Sequence, residues 1–363
     1  MRSVTLSDRG FTKLFVLAVL LVALATPMAQ AQPFDAWMTL AGSPNVGYVR
    51  IPHSAALNPT GAFTFEAWVA VRNSPASEDC RSIAGKNFLQ AWWIGVCTVG
   101  GQPTLRSYLK GGSSARNGGI IPATGWTHIA VVFNGAQRLH YINGELAAQF
   151  PEAGPLTTSA SEMRIGGDIS WNPQPQGAID EVRLWSVART TAQIRAWLNE
   201  RIRVAQPGLV AVWPLDASAV DVIGPHDGSV VGAGVGALTF PAGPGCVASA
   251  SQLCLRNRFG VTARHRAGGA PGSPTTGNAA VAVSSFESGV LSFFGAANWE
   301  VLVKALNGCG INNRYWIYAA STTDVFYRME VFDYQELENK VYFNYPGAPA
   351  PALTDSDAFA TCP

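Results

Sequence analysis

The stretch GAIDEVRLWSVARTTAQIRAWL, residues 177–198, decides the fold. Its first half alternates apolar and polar residues, as a half-buried β-strand does. Two acids, Asp180 and Glu181, stand side by side within it and raise the question of a catalytic pair or a metal site. Its second half changes to a helical pattern, so a strand runs directly into a helix.

The helix has a clear start. Thr190 is a good N-cap, and Gln193 three residues later completes the pattern of a capping box. Apolar side chains then recur at helical spacing and predict one buried face, formed by Ile194, Trp197 and Leu198. We expect the helix to end near Arg203, before Pro207.

Short strand-like segments of about 4–9 residues surround this stretch, from Phe34 to about Leu215. Turn residues separate them, and Asn143-Gly144 is the strongest hairpin signal because a type I′ turn needs two positive φ angles. No crossover helices lie between the segments. They therefore predict an antiparallel sandwich.

A second set of strand-like segments follows a shift to Gly, Ala, Val and Pro over residues 217–245. The fold class is all-β: a larger sandwich at 32–240, a linker at 241–245 and a smaller β-sandwich at 246–363. Charged residues are only 13% and the formal net charge is +1, so nothing attracts nucleic acid or an acidic membrane surface.

The first 31 residues have the pattern of a secretory signal peptide. Three basic residues precede the apolar run LFVLAVLLVALATPM, and a small-residue site ends at Ala31. We expect cleavage there and an exported mature chain, secreted, periplasmic or extracellular. No second long apolar run follows, so no membrane span is predicted.

In an exported chain the six cysteines predict three disulfides, because an even number of cysteines in an oxidising compartment indicates disulfide bonding. Cys80 and Cys97 flank a predicted hairpin that turns near Asn87, and they should face each other. The other four cysteines allow three pairings. We expect 254–309, from neighbouring strands, and 246–362, tying the ends of the second domain, which places Cys246, Cys254, Cys309 and Cys362 in disulfides.

Several phrases of the first domain resemble the bacterial laminin-G-like/pentraxin group of concanavalin A-like jelly rolls. They span nearly all of 34–216 in the family's order: YVRIPHSAALNPTGAFTFEAWV, GWTHIAVVFNGAQRLHYINGEL, MRIGGD, GAIDEVRLWSVARTTAQIRAWL and PGLVAVWPLD. The resemblance implies two curved antiparallel sheets, commonly a calcium ion at one rim, and binding of glycans or proteins. The second domain looks like a cysteine-bearing β-domain at the ends of secreted bacterial proteins, with no defined activity.

Some glycoside hydrolases share the jelly-roll fold and use two carboxylates that face one sugar bond. Asp180 and Glu181 are adjacent, so strand alternation should point them to opposite faces and exclude that pair. Glu66 is a lone strand acid, which we expect to have a structural partner. His128 is expected to be a packed or hydrogen-bonded structural residue, and no G-x-S-x-G elbow occurs. We therefore predict a protein without catalytic activity.

The resemblance implies calcium ligands in two rim segments. Asp180 matches the acid that leads into the "IDEV" strand, and Asp168 lies in the preceding loop. Family members carry an acid before the tyrosine of the first loop, whereas here Gly47 precedes Tyr48 and the loop offers only Asn45. We therefore weigh calcium ligation by Asp180 equally against a hydrogen-bonded structural role.

A glycan site needs aromatic faces and polar side chains. Trp171 lies in the polar loop DISWNPQPQ, which makes a core position unexpected. Trp92 and Trp93 are adjacent on a strand, so one should face in and the other out, and Arg106 and Tyr108 alternate along the next strand.

The predicted ligand-binding residues are therefore Trp171, Trp93, Arg106 and Tyr108. We expect a secreted, non-catalytic binding module for a carbohydrate or an extracellular protein. The alternatives are a glycan-cleaving hydrolase or lyase and a structural envelope component.

Overall fold

The computed structural model describes residues 38–41, 47–71, 80–122, 125–170, 176–216, 218–232, 235–236, 245–347 and 350–363. The predicted signal peptide, Asn45 and Trp171 lie outside these ranges, as do most residues of the predicted linker. Within them, no helix is both long and apolar enough to cross a membrane.

The first domain is a pair of antiparallel sheets built from short strands. They are β1 (Met38–Ala41), β2 (Tyr48–Ile51), β3 (Phe63–Val71), β4 (Cys80–Gly85), β5 (Trp93–Val99), β6 (Gln102–Tyr108), β7 (Arg116–Ile120), β8 (Thr127–Phe133), β9 (Gln137–Ile142), β10 (Glu145–Pro151), β11 (Met163–Ile165), β12 (Gln176–Trp185), β13 (Leu209–Trp213), β14 (Ser229–Val231) and β15 (Val235–Gly236). The eight-stranded sheet has the order β10-β9-β8-β3-β12-β1-β15, with β13 also paired to β12. The seven-stranded sheet has the order β14-β2-β11-β4-β5-β6-β7.

Alternation along these strands builds one core between the two sheets. Phe63 and Phe65 of β3 project into it from one sheet, and Trp92 and Ile94 project into it from the other. All four side chains are at most 1% exposed. This is the all-β sandwich that the sequence predicted.

Both predicted hairpin features of the first domain are confirmed. Asn143 and Gly144 have φ angles of 50° and 73° and join β9 to β10. Asn87, with φ 68°, lies in the connection from β4 to β5. Cys80 and Cys97 are register partners on those strands, 4.0 Å apart at Cα, and form the predicted disulfide.

Helix α1 spans Thr191–Trp197, with Thr190 as its N-cap and the capping box to Gln193 formed. It is shorter than the predicted helix, which extended to about Arg203. The carbonyl oxygens of Trp197 and Glu200 accept hydrogen bonds from Arg183, and a tertiary side chain thus takes the acceptors that further helical turns would use.

The second domain is a smaller pair of antiparallel sheets. Its elements are β16 (Leu253–Leu255), β17 (Phe259–Arg266), β18 (Gly277–Asn278), β19 (Ala280–Ser284), β20 (Ser288–Ser292), β21 (Val301–Asn307), α2 (Cys309–Asn312), β22 (Tyr315–Ser321), β23 (Phe326–Asp333), β24 (Glu338–Asn344) and β25 (Leu353–Phe359). One sheet has the order β16-β17-β23-β24, with β18 on β17, and the other has the order β19-β20-β21-β22-β25.

The predicted disulfide pairing of this domain is wrong. Cys254 is bonded to Cys246, and Cys309 is bonded to Cys362. The prediction assumed that the first strand and β21 were neighbours, but β16 pairs with β17 in one sheet and β21 lies in the other. Cys309 follows β21 and Cys362 follows β25, and both of these strands flank β22.

Buried contacts join the two domains. Trp68 of β3 stacks on Phe343 of β24 with ring centroids 6.3 Å apart. Arg266 of β17 donates hydrogen bonds to both carboxylate oxygens of Glu145, at 2.7 and 2.9 Å. These contacts place the sheet β16-β17-β23-β24 against the first domain.

Candidate functional site

The outer face of the eight-stranded sheet is covered by α1 and by the second domain. Ile194 of α1 packs on Ala130 and Val132 of β8. The indole nitrogen of Trp68 donates to the carbonyl oxygen of Leu198 at 2.8 Å, within an apolar cluster that includes residues of β24. A ligand for the first domain therefore has better access to the outer face of the seven-stranded sheet.

A buried ion cluster holds α1 on this covered face. Glu66 of β3 is 0% exposed and accepts a 2.5 Å hydrogen bond from Arg189, with Arg183 4.0 Å away. His128 lies 3.5 Å from the same carboxylate. Burial alone would raise the pKa of Glu66, but the adjacent His128 side chain and the charges of Arg189 and Arg183 lower it to about 2. Glu66 and His128 thus have the structural roles that the sequence predicted.

The two adjacent acids do not alternate as predicted. Ile179 and Val182 both join the main core although they are three residues apart, which regular alternation does not allow. Glu181 has φ 47°, and the register of β12 shifts between Asp180 and Arg183. This β-bulge is the reason that the opposite-face argument fails.

Neither acid of the bulge is accessible to a substrate in this structure, since both are at most 1% exposed. Glu181 is bonded through both oxygens, to Arg183 at 3.1 Å and to Arg203 at 2.8 Å. Asp180 accepts the N–H of Glu181 through Oδ1, while its buried Oδ2 has no hydrogen-bond partner among the described residues. Burial, with the charges of Glu181 and Asp216, raises the pKa of Asp180 well above its ordinary value, so the neutral acid is favoured.

The second predicted calcium ligand, Asp168, has a different environment. Its carboxylate accepts the backbone N–H groups of Asn87 at 2.8 Å, Phe88 at 3.1 Å and Ser170 at 2.9 Å. These N–H groups present positive charge to both carboxylate oxygens. Asp168 therefore fits the role of a carboxylate that caps backbone N–H groups and does not fit the role of a cation ligand.

The contacts of Asp168 and Asp180 share no residue, and within the described ranges no three His, Cys, Asp or Glu side chains form a metal-binding group. Asp168 and Asp180 of the predicted ligand set therefore do not share one calcium site in the described part of the chain. Of the described members of that set, only Asp180 offers an open carboxylate oxygen.

A serine–histidine pair that the sequence did not suggest lies between the sheets. Ser107 Oγ is 2.7 Å from His140 Nε2, and His140 Nδ1 is 3.0 Å from the carbonyl oxygen of Gly118. The pair has the spacing of a nucleophile and its base. Both residues are 0% exposed, and Arg138 donates to the Ser107 carbonyl at 2.7 Å, so we assign them a structural role.

The outer face of the seven-stranded sheet carries what we call the aromatic patch. It consists of Trp93, Arg106 and Tyr108 on β5 and β6, Phe88 in the β4–β5 connection and Asn117 on β7. Trp93 faces Tyr108 in the register of β5 and β6, and their rings meet edge to face at 5.5 Å. Phe88 contacts the same Tyr108 ring at 5.6 Å. Arg106 donates to Asn117 at 2.5 Å. The structure thus brings together three of the four predicted ligand-binding residues.

Trp93 needs a correction within this patch. As expected, it points away from the core that holds Trp92. However, it is only 1% exposed, and its indole nitrogen donates to Ser82 Oγ at 2.7 Å. Its neighbours cover it, so it supports Tyr108 from below and does not itself present a face to a ligand. Tyr108 and Arg106 are half-buried and form the accessible part.

The start of the Trp171 loop lies beside the aromatic patch. Ser170 donates from its hydroxyl to Asn87 Oδ1 at 2.9 Å, and Asp168 accepts the N–H of Phe88. Trp171 itself is outside the described residues, but its chain neighbour Ser170 is thus fixed next to the patch. Phe88 was missed from the sequence because its neighbours gave no strand alternation, although its place in the turn after Asn87 was a usable signal.

Part of the first domain is similar to a known protein family. Residues 43–195, less than half of the chain, match the family model described as the concanavalin A-like lectin/glucanases superfamily. For that part of the chain the match confirms the resemblance drawn from the sequence. No curated protein sequence matches the chain.

Solved structures are similar at low identity. A candidate carbohydrate-binding protein from Bacteroides ovatus is 23% identical over 56% of this chain and 61% of its own, with a TM-score of 0.44. A heptameric SAP-like pentraxin from Limulus polyphemus is 18% identical over 57% of this chain and 97% of its own, with a TM-score of 0.41. Domain 4 of an extracellular arabinanase from Geobacillus stearothermophilus, in complex with arabinotriose, is 23% identical over 41% and 71%, with a TM-score of 0.34. The chain thus spans less than two thirds of the Bacteroides protein.

Proposed function

From a first domain of concanavalin A-like type, we propose that this protein binds carbohydrate without cleaving it, at the aromatic patch, with Trp171, which follows Ser170 in the chain, as a further contact. The observation that carries the proposal is the half-buried Tyr108 beside the Arg106 guanidinium on the sheet face that α1 does not cover. Sugars stack on aromatic faces, and charged or amide groups bind their hydroxyls. Asn117, exposed beside Arg106, adds an amide.

The surroundings of the acids support binding without hydrolysis. A glycosidase needs two accessible carboxyl groups on either side of one bond. Three strand acids, Glu66, Asp180 and Glu181, are each at most 1% exposed. Glu66 and Glu181 are also hydrogen-bonded to arginines. Three disulfides are compatible with the exported location that we propose, because disulfides persist in oxidising compartments.

The test is a glycan array with the mature chain and three variants. Trp171→Ala and Arg106→Gln remove the aromatic and cationic contacts, and Trp299→Ala is the matched control because Trp299 is a 57% exposed tryptophan of the second domain. We expect binding by the wild type and the control and at least a tenfold loss in both patch variants. Equal binding by all four chains, or release of reducing ends from a bound glycan, would overturn the proposal.

The calcium prediction is tested on the same samples. With Asp168 engaged by backbone amides, it rests on the open oxygen of Asp180. A bound ion stabilises the folded chain, so a chelator should lower the melting temperature of the wild type and leave Asp180→Asn unchanged. The same melting curve with and without chelator would contradict a calcium site.

A further inference from the structure

A cleft that is separate from the aromatic patch lies between the two domains. It has a volume of about 20 Å³, and its walls include Trp126 and Thr127 of the first domain and Arg264, Ser273 and Arg328 of the second. Since one water needs about 10–15 Å³ on the same scale, the cleft has room for one small group and not for a whole sugar ring. Domain interfaces are common positions for ligand sites.

Two arginines from neighbouring strands line this cleft. Arg264 of β17 and Arg328 of β23 are register partners on neighbouring strands. Like charges directly opposite each other destabilise a sheet. Burial and the charge of Arg264 lower the pKa of Arg328, while the charge of Glu330 raises it. A negatively charged group bound between the two guanidiniums would therefore stabilise this part of the fold.

Only part of the Arg328 guanidinium is satisfied. It forms an ion pair with Glu330 on the same strand, yet its buried Nε has no hydrogen-bond acceptor among the described residues. Arg266, two positions from Arg264 on β17, shows the contrast, since Glu145 accepts from it through both oxygens. An unsatisfied buried guanidinium nitrogen is costly, and a ligand oxygen would remove that cost.

We propose that this cleft binds a small oxyanion group, a carboxylate or sulfate, held by Arg264 and Arg328 across the domain interface. Planar guanidiniums bind such groups through paired charge-assisted hydrogen bonds. Thr127 and Ser273 line the same cleft and supply hydroxyl groups. The cleft admits the anionic group, and the rest of a larger ligand would lie outside it.

The test is titration calorimetry at low salt with sodium glucuronate, sodium sulfate and glucose. Arg264→Gln removes one charge at an exposed position, and Lys304→Gln is the control because it removes one charge from an exposed residue on the other sheet of the same domain. We expect one equivalent of glucuronate or sulfate to bind the wild type and the control, at least tenfold weaker binding to Arg264→Gln, and no heat from glucose. Binding of glucuronate identifies a sugar acid as a source of the group, and binding of sulfate alone identifies a free anion.

A fourth variant separates the proposal from simple loss of folding. Glu330→Gln removes the carboxylate that competes for Arg328, so it should tighten anion binding by several-fold, which a damaged fold would not do. Arg106→Gln should leave anion binding unchanged whatever happens to the glycan site. No binding of either anion to the wild type, equal weakening by Arg264→Gln and Lys304→Gln, or weaker binding in Glu330→Gln would overturn the proposal.

Discussion

Glu66→Gln should reveal how strongly the buried ion cluster stabilises the first domain. The substitution keeps the size of the side chain and removes only its charge. Glu66 is completely buried, with Arg189 at 2.5 Å and His128 at 3.5 Å. The variant leaves the guanidiniums of Arg189 and Arg183 beneath α1 without their shared carboxylate.

The expected magnitude follows from the pKa of Glu66. A decrease from 4.5 to about 2 means that the fold favours the ionised carboxylate by about 3 kcal/mol, at about 1.4 kcal/mol per pH unit. Removing one partner of a buried ion pair costs about 3–5 kcal/mol, because the other charge stays buried. We therefore expect Glu66→Gln to lower the free energy of unfolding by about 3–5 kcal/mol at pH 7.

Urea unfolding with the disulfides intact measures this loss, with Glu162→Gln as the matched control. Glu162 pairs with Arg164 in a partly exposed position, so its loss should cost less than about 1 kcal/mol. The ionised Glu66 stabilises the fold above pH 4.5, and this contribution disappears as the pH falls towards 2. The difference in the free energy of unfolding between the wild type and Glu66→Gln should therefore decrease as the pH is lowered. An equal loss of unfolding free energy in the two variants at pH 7, or a loss in Glu66→Gln that does not change with pH, would contradict a stabilising role of the ionised Glu66.

Three further predictions concern other parts of the chain. Burial lowers the pKa of His140 from 6.5 to about 4, so the histidine of the unfolded chain is protonated at a higher pH than that of the folded chain. The free energy of unfolding should therefore fall by about 3 kcal/mol as the pH is lowered from 6.5 to 4. His140→Asn should reduce this pH dependence, and an unchanged pH dependence would be evidence against a neutral buried histidine. Mass spectrometry of a non-reduced digest should find a peptide joining Cys309 to Cys362, and a Cys254–Cys309 peptide would contradict the fold of the second domain. Glu145→Gln should let the second domain exchange its amide hydrogens faster, because Arg266 loses the negative charge of its partner and one of its two acceptors at the interface. Unaltered exchange would mean that the pair does not hold the domains together.

Local signals in the sequence predicted much of the first domain. The capping box at Thr190, the Asn143-Gly144 turn and the facing cysteines at 80 and 97 all depend on contacts within a few residues or within one hairpin. The bulge at Glu181 could not be read in this way. It depends on how β12 fits between its neighbouring strands, which the residues of β12 alone do not specify.

The predicted disulfide pairing of the second domain was wrong for a related reason. Cys254 was assigned to a strand next to β21, and nothing local to either segment shows that they belong to different sheets. At the candidate site, the pattern correctly placed Trp93, Arg106 and Tyr108 on one face. It could not show that Trp93 is covered, because the depth of a side chain depends on the neighbours that pack over it.

A crystal structure of the mature chain with the oligosaccharide that binds best on the array would locate the glycan site. We expect an intact sugar ring over Tyr108, within reach of Arg106 and Trp171. A sugar bound at another face of the molecule, or a cleaved product at any carboxylate, would contradict this expectation.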